Sequence, residues 1–248
     1  MVIDLIKKRD FYHQSIKYSF NWNLQHHNEK LMISKDKREE FRKLGSYFKQ
    51  IYQTSIVPDN IFNSRNIQRI SQFKIKGIKN GFVASFGKQL IRSGIIKKYD
   101  KNYKLSEYAQ SVYDNYRENN INKKPGHAPI LKNILIKDKD SVAIEIPIWG
   151  TYNGKYLTGH IDLIQIDINQ NLIKVIDYKP EGKFLVSLPQ VATYGLILKN
   201  KLKINKIRCL SFNKSETWEY DPHILLTDVK EFLNSQGIKN LEWERFLL

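Results

Sequence analysis

Three apolar runs follow one another at residues 141–149 (SVAIEIPIW), 156–167 and 171–178, with only short turn segments between them. This succession constrains the fold of the 248-residue chain more than any other feature. The runs are rich in Ile, Val and Leu and are bounded by Asn153-Gly154 and Asn169-Gln170-Asn171. They read as consecutive hairpin strands, because β-branched side chains suit a pleated surface and Asn and Gly reach the left-handed backbone of tight turns. Residues 188–198 then read as helix, 204–212 as another apolar strand, 216–220 as a short edge strand and 224–233 as a closing helix. Strand, strand, strand, helix, strand predicts an α/β fold with a mixed sheet, a crossover helix and flanking helices.

The chain before this sheet has a different texture. Residues 1–35 carry aromatic and basic side chains without clear period and read as helix and loop. Residues 36–118 read as helical: Phe41, Leu44, Phe48, Ile51 and Tyr52 recur at the spacing of one buried face. Phe82, Phe86, Leu90 and Ile91 repeat it and stop at Ser93-Gly94, a C-terminal cap. Residues 95–99 and 102–105 read as two short strands around Asp100-Lys101, and Ser106 caps a final helix to about residue 116. The polar stretch 119–126, ending in Pro125-Gly126, reads as a linker. Two domains are therefore expected, a basic, mainly helical one over 1–124 and a strand-rich one over 125–248.

Charge supports that division. The chain holds 41 Lys plus Arg against 25 Asp plus Glu, a net +16. Residues 1–124 carry +14 of it and residues 125–248 only +2. Such a field attracts polyanions, and nucleic acid is the expected partner, because neutralising phosphates releases counterions. The 41% hydrophobic content excludes a disordered polymer. A single cysteine, Cys209, excludes an internal disulfide and a cysteine-ligated iron–sulfur cluster, so a cytoplasmic setting is expected. No apolar run is long enough to span a bilayer and no signal-peptide core is present, so no membrane partner is expected.

Helix, helix ending in Gly, two short strands and helix is the order of a winged helix-turn-helix, and residues 81–109 resemble that family. The resemblance implies that the helix at 83–92 meets nucleic acid through Ser85, Lys88, Gln89 and Arg92, with Lys97, Lys98, Lys101 and Lys104 on a phosphate-contacting wing.

In the second half the informative positions are carboxylates in apolar strands. Asp177 and Lys179, two apart on one strand, share a face, and Asp162 lies on the neighbouring strand. Two carboxylates held close in an apolar setting repel unless a cation sits between them, and Mg2+ or Mn2+ prefers oxygen ligands. Glu145 in an early strand, Gly159-His160-Ile161-Asp162, Ile176-Asp177-Tyr178-Lys179, and Gln190 four residues before Tyr194 stand in the order of the PD-(D/E)xK nuclease superfamily. This set is similar to its RecB-like exonuclease branch.

The resemblance implies a restriction-endonuclease-like core that hydrolyses DNA phosphodiester bonds with Mg2+ or Mn2+. It implies that Asp162, Asp177 and the carbonyl of Tyr178 hold the metal and that Lys179 orients or deprotonates the attacking water. Gln190 and Tyr194 would hold substrate or fix the site. Glu145 completes the metal shell or is a solvated strand carboxylate. His127 corresponds to a histidine that some members add, though Pro125-Gly126-His127-Ala128-Pro129 reads as a loop rather than the helix those members use. His160 shares the strand face of Asp162 and either touches substrate or is simply a polar strand residue. Relatives of this type work beside a helicase or another DNA-repair or replication protein. The alternative is a DNA-binding regulator or scaffold with a catalytically silent nuclease fold. The sequence leaves exo- versus endonucleolytic action and oligomeric state open.

Overall fold

The computed structural model describes residues 5–33, 38–54, 57–152 and 154–247. Helices and strands alternate in the order β1 (Ile6–His13), β2 (Ile16–Asn23), α1 (Leu24–Ile33), α2 (Arg38–Thr54), α3 (Asp59–Phe62), β3 (Gln68–Arg69), α4 (Asn80–Arg92), β4 (Ile96–Tyr99), α5 (Lys104–Glu118) and α6 (His127–Lys137). Then follow β5 (Ser141–Tyr152), β6 (Lys155–Asp167), β7 (Leu172–Tyr178), α7 (Phe184–Leu202), β8 (Ile207–Phe212), β9 (Thr217–Tyr220), α8 (Asp228–Ser235) and α9 (Glu244–Leu247). The result is an α/β fold with one mixed nine-stranded sheet in the order β1-β2-β5-β6-β7-β8-β9-β4, while β3 pairs with β6. Neighbours are antiparallel except β7 with β8 and β3 with β6, which are parallel. Among the described residues no helix is long and apolar enough to cross a membrane.

The three apolar runs form β5, β6 and β7 in consecutive antiparallel pairing, as expected. Tyr152 pairs with Lys155, which leaves two residues for the turn; Gly154 has a φ of 72°, and Asn153 lies outside the described residues. The crossover helix α7 is longer than its apolar core and starts at Phe184. Strand β9 is not an edge, because β4 pairs with it. Helices cover both faces. One buried cluster takes Ile130, Leu131 and Ile134 of α6 and Leu105 and Ala109 of α5; the other takes Phe41, Leu44, Phe48 and Ile51 of α2 and Leu188 and Val191 of α7.

Residues 5–23 differ from the expected helix and loop. They are the hairpin β1–β2, whose two-residue turn Gln14-Ser15 has φ of 50° and 68°. That turn takes two left-handed residues, normally Asn-Gly, and Gln-Ser gives no such signal. The expected second wing strand at 102–105 is also absent. The Asp100 carboxylate accepts from the Asn102 N–H (2.9 Å) and Tyr103 stacks on Tyr99 (ring centroids 4.4 Å), so the chain turns straight into α5. Strand β4 joins β9 of the main sheet instead of forming a ribbon. Phe82 is exposed, off the buried face expected for it. Strands from before residue 124 lie in the same sheet as those after it, so the connection at 119–126, exposed except at Pro125, separates neither two sheets nor two cores.

Against α2, His27 is fully buried. The Trp22 indole N–H donates to its Nδ1 (3.1 Å), and its Nε2 lies 3.0 Å from the Phe41 carbonyl, which can only accept. Both ring nitrogens are satisfied only in the neutral form. Burial lowers the His27 pKa from 6.5 to about 4, the Phe41 bond opposing it weakly, and burial lowers His13 to about 3. A lowered folded-state pKa gives stability that is complete above pH 6.5 and is lost as pH falls toward 4. Urea unfolding at pH 7.5 and 4.5 should show a loss on the order of 2–3 kcal/mol from His27. A His27 ring that titrates near 6.5 by NMR would contradict this.

Candidate metal centre

The site forms where strand alternation breaks. Residues two apart on a strand share a face, yet Ile144 and Ile146 pack into opposite clusters, as do Leu163 and Ile161. Between them Glu145 has a φ of 52°, a left-handed backbone that L residues rarely adopt. The pairs Ile144↔Leu163 and Ile146↔Ile161 bracket Glu145 and Asp162, and Leu163↔Ile176 stands next to Asp162 and Asp177. The register therefore sets three carboxylates in a row across β5, β6 and β7.

Asp162 is 4% exposed and accepts the Tyr178 N–H at 2.9 Å, which ties β6 to the end of β7. Its other visible partner is His127 Nδ1, 3.2 Å from the same oxygen. His127 opens helix α6 rather than sitting in a loop, contrary to the sequence expectation; Gly126 precedes it in an extended N-cap conformation, and its ring packs edge-on against Tyr178. Proline at 129 sits within the first turn, where a missing N–H costs nothing, so Pro-rich sequence did not preclude a helix.

Asp177, 2% exposed, pairs with Lys179 Nζ at 2.6 Å. Lys179 donates to Gln190 Oε1 (3.1 Å), and Gln190 Nε2 reaches Tyr194 Oη (3.3 Å) and Asp177 Oδ1 (3.5 Å). Gln190 and Tyr194 are one turn apart on α7 and so meet β7 together. Gly159 is needed for this contact, since a Cβ there would lie 2.6 Å from Tyr194 Cε1.

Electrostatics follow from burial and like charge. Burial and the charge of Asp162 raise Asp177 to about 6 against the pull of Lys179. Burial and Asp162 likewise raise Glu145 to about 8. Burial alone would raise Asp162, but the His127 hydrogen bond and the charges of His127, Lys179 and His160 hold it below the usual range. Burial opposes charge on His127 and Lys179, yet the carboxylates raise both, His127 to about 9. His160 is lowered to about 4 by burial.

One ligand atom each from Glu145, His160 and Asp162 lies within 4.8 Å of the others. An ion at roughly 2.0–2.6 Å from each could span that spacing. The buried Glu145 Oε2 and His160 Nδ1 have no hydrogen-bond partner among the described residues, and His160 Nε2 is 3.6 Å from Glu145 Oε2. A carboxylate-rich set with an unsatisfied buried oxygen fits a hard divalent cation.

Glu145, Asp162, Asp177, Tyr178, Lys179, Gln190, Tyr194 and His127 are thus neighbours. Beside them lie side chains that sequence reading did not single out. Tyr18 stacks within 4.0 Å of the His160 ring, His13 bonds Thr158 Oγ1 (3.0 Å), and Arg69 of β3 lowers the pKa of His13 and His160. They arrive on β1, β2 and β3, whose strand character had no clear signal. The exposed Ser85, Lys88, Gln89 and Arg92 are on α4, away from these carboxylates. Lys88 and Lys98 line one hollow together, while Lys101 and Lys104 lie on the turn and first residue of α5 and Lys97 is exposed on β4. A cleft of about 310 Å³, lined by Lys74, His127, Tyr178, Lys179, Lys183 and Gln190, opens onto the centre.

No family model matches the chain, and no curated protein matches it. A solved structure, "Crystal structure of SSO0001", is similar at 14% identity over 79% of this chain and 85% of that chain, with a TM-score of 0.31. Likeness at that level carries no argument.

Thermal unfolding tests the centre directly. Mn2+ at about 100 times its Kd should stabilise the wild type by ~2.7 kcal/mol, a shift of several degrees in Tm. Asp162→Asn should lose that shift. Glu145→Gln, which mimics the protonated carboxyl that burial favours, should be no less stable than wild type without metal and gain less from it. An unchanged shift in Asp162→Asn would contradict the site.

Proposed function

We propose that this chain is a metal-dependent nuclease with a restriction-endonuclease-like core, hydrolysing DNA phosphodiester bonds at Asp162, Asp177 and Lys179. One observation carries the reading: three carboxylates stand side by side on adjacent strands, and their partners His127, Lys179 and Gln190 line a cleft together with Lys74, Lys183 and Glu181. Asp162 and Asp177 each have a cationic partner, His127 and Lys179, whereas Glu145 has none among the described residues and keeps an unsatisfied buried oxygen, which supports a further ligand there.

In this reading Glu145, Asp162 and Asp177, with His160 and the Tyr178 carbonyl, hold Mg2+ or Mn2+. Such an ion lowers the pKa of water and offsets charge on phosphate. The chain's own groups do the rest. Lys179, kept protonated by Asp177 and Asp162, donates toward the attacked phosphate and the water instead of taking a proton. Gln190 fixes the Lys179 ammonium, and Tyr194 fixes Gln190. His127 either joins the ion's ligands or remains the hydrogen-bonded partner that orients Asp162. The exposed basic residues of α4 and β4, Lys88, Arg92, Lys97 and Lys98, contact phosphates as part of the same sheet-centred body. The wing ribbon is not retained in this proposal. A helicase or repair partner stays an implication of the resemblance.

Digestion of end-labelled linear, circular and branched DNA with Mg2+ or Mn2+ tests the reading. Wild type should cut, EDTA should stop it, and Asp177→Ala and Lys179→Ala should each lose on the order of 100-fold or more in rate while still binding DNA. Cleavage by Lys179→Ala at the wild-type rate would overturn the mechanism.

A further inference from the structure

We propose that the hollow between α4 and the start of α7 is a pocket for one unpaired nucleobase, so that the neighbouring cleft prefers single-stranded substrate. The identity of the strand rests on the nuclease reading.

The hollow measures about 380 Å³, within the range of roughly 300–1,000 Å³ typical of ligand pockets. Val83, Gly87 and Ile91, four residues apart, line its α4 side, and Leu185 and Val186 face them. Trp218 of β9 lies among them, half-buried, with the Phe184 ring edge-on to it at 5.5 Å. The benzo corner of the indole, Cη2 and Cζ3, is the part that stands nearest Gly87.

Glycine at 87 lets α4 lie close to the facing wall. A Cβ there would stand 3.3 Å from Leu185 Cδ2 and 3.5 Å from Trp218 Cη2, so a longer side chain would press into the indole. An apolar hollow with an aromatic wall suits a flat heteroaromatic ring.

The rim supplies the other half of a nucleotide. Lys88, Lys98 and Lys183 surround the opening. Lys98 pairs with half-buried Glu216 at 2.5 Å, and Lys183 with Glu181 at 3.6 Å in an exposed ion pair that a phosphate can replace at little cost. Lys183 and Val186 also line the cleft that opens onto Lys179, so the two cavities adjoin. A strand crossing Lys183 could place a phosphate in the cleft and a base in the hollow. A paired base is stacked and closed on both faces, whereas an unpaired one is free to bury a face against an aromatic side chain.

Binding in EDTA, where no cleavage occurs, provides the test. The full-length protein is titrated into a short labelled oligothymidylate and into a duplex of the same length, with anisotropy and tryptophan fluorescence as readouts. Trp218→Leu and Gly87→Leu should each weaken single-strand binding about tenfold, the size of one lost base stack, and leave duplex binding within about twofold. Oligothymidylate should quench fluorescence in wild type and not in Trp218→Leu. If Trp218→Leu does not fold by thermal unfolding, Gly87→Leu and Ile91→Trp, which fill the hollow from its α4 side, decide the question. Folded variants that keep the wild-type preference overturn the pocket even if cleavage is normal. Loss of preference in a protein that never cuts DNA upholds the pocket and defeats the nuclease reading.

Discussion

Repulsion among buried carboxylates is the constraint on which the rest of this structure turns. Asp162 and Asp177 are nearly inaccessible to solvent and Glu145 is only 13% exposed at its side chain, so a charge on any of them would be screened poorly by water. Burial with the charge of Asp162 raises Glu145 to about 8, which keeps it largely protonated near neutral pH. The protein offsets this with local cations and donors. His127 and the Tyr178 amide serve Asp162, Lys179 serves Asp177, and Glu145 is left with an unsatisfied oxygen. Removing one of these partners leaves a charge stranded in the interior, which is costlier than never burying it. The arrangement is therefore stable only as a set.

The surrounding fold keeps that set together. The sheet's nine strands extend on both sides of β5–β6–β7, so the three strands bearing the acids are interior and their register cannot slip without moving both faces. Glu145 adopts its left-handed backbone where β5 and β6 change which side they present. Helix α6 reaches the acids from one face through His127, and α7 reaches them from the other through Gln190 and Tyr194. The hairpin β1–β2 closes the side of His160 with His13 and Tyr18.

Much of this was legible in the sequence because period and spacing report on buried strands. The runs that became β5, β6 and β7 and the pairing of Asp177 with Lys179 follow from two-residue alternation, and Gln190 with Tyr194 follows from one helical turn. The misses have a common cause in signals that act over longer distance. Residues 5–23 pair into a hairpin through a Gln-Ser turn that lacks the usual residues, and their partner strand β5 is more than a hundred residues away. The strand at 96–99 was read as half of a local ribbon, whereas its partner is β9. Tyr18, His13 and Arg69 were invisible as site neighbours for the same reason. His127 reads as loop from its flanking prolines and glycine, although the first turn of a helix tolerates proline.

An anomalous difference map from crystals grown with Mn2+ measures the central claim most directly. A peak bounded by the carboxylates of Glu145, Asp162 and Asp177, with Lys179 still on Gln190, is the expected result. A map without density there, with Lys179 locked onto Asp177 and His127 onto Asp162 as the sole neutralising partners, would contradict a cation site.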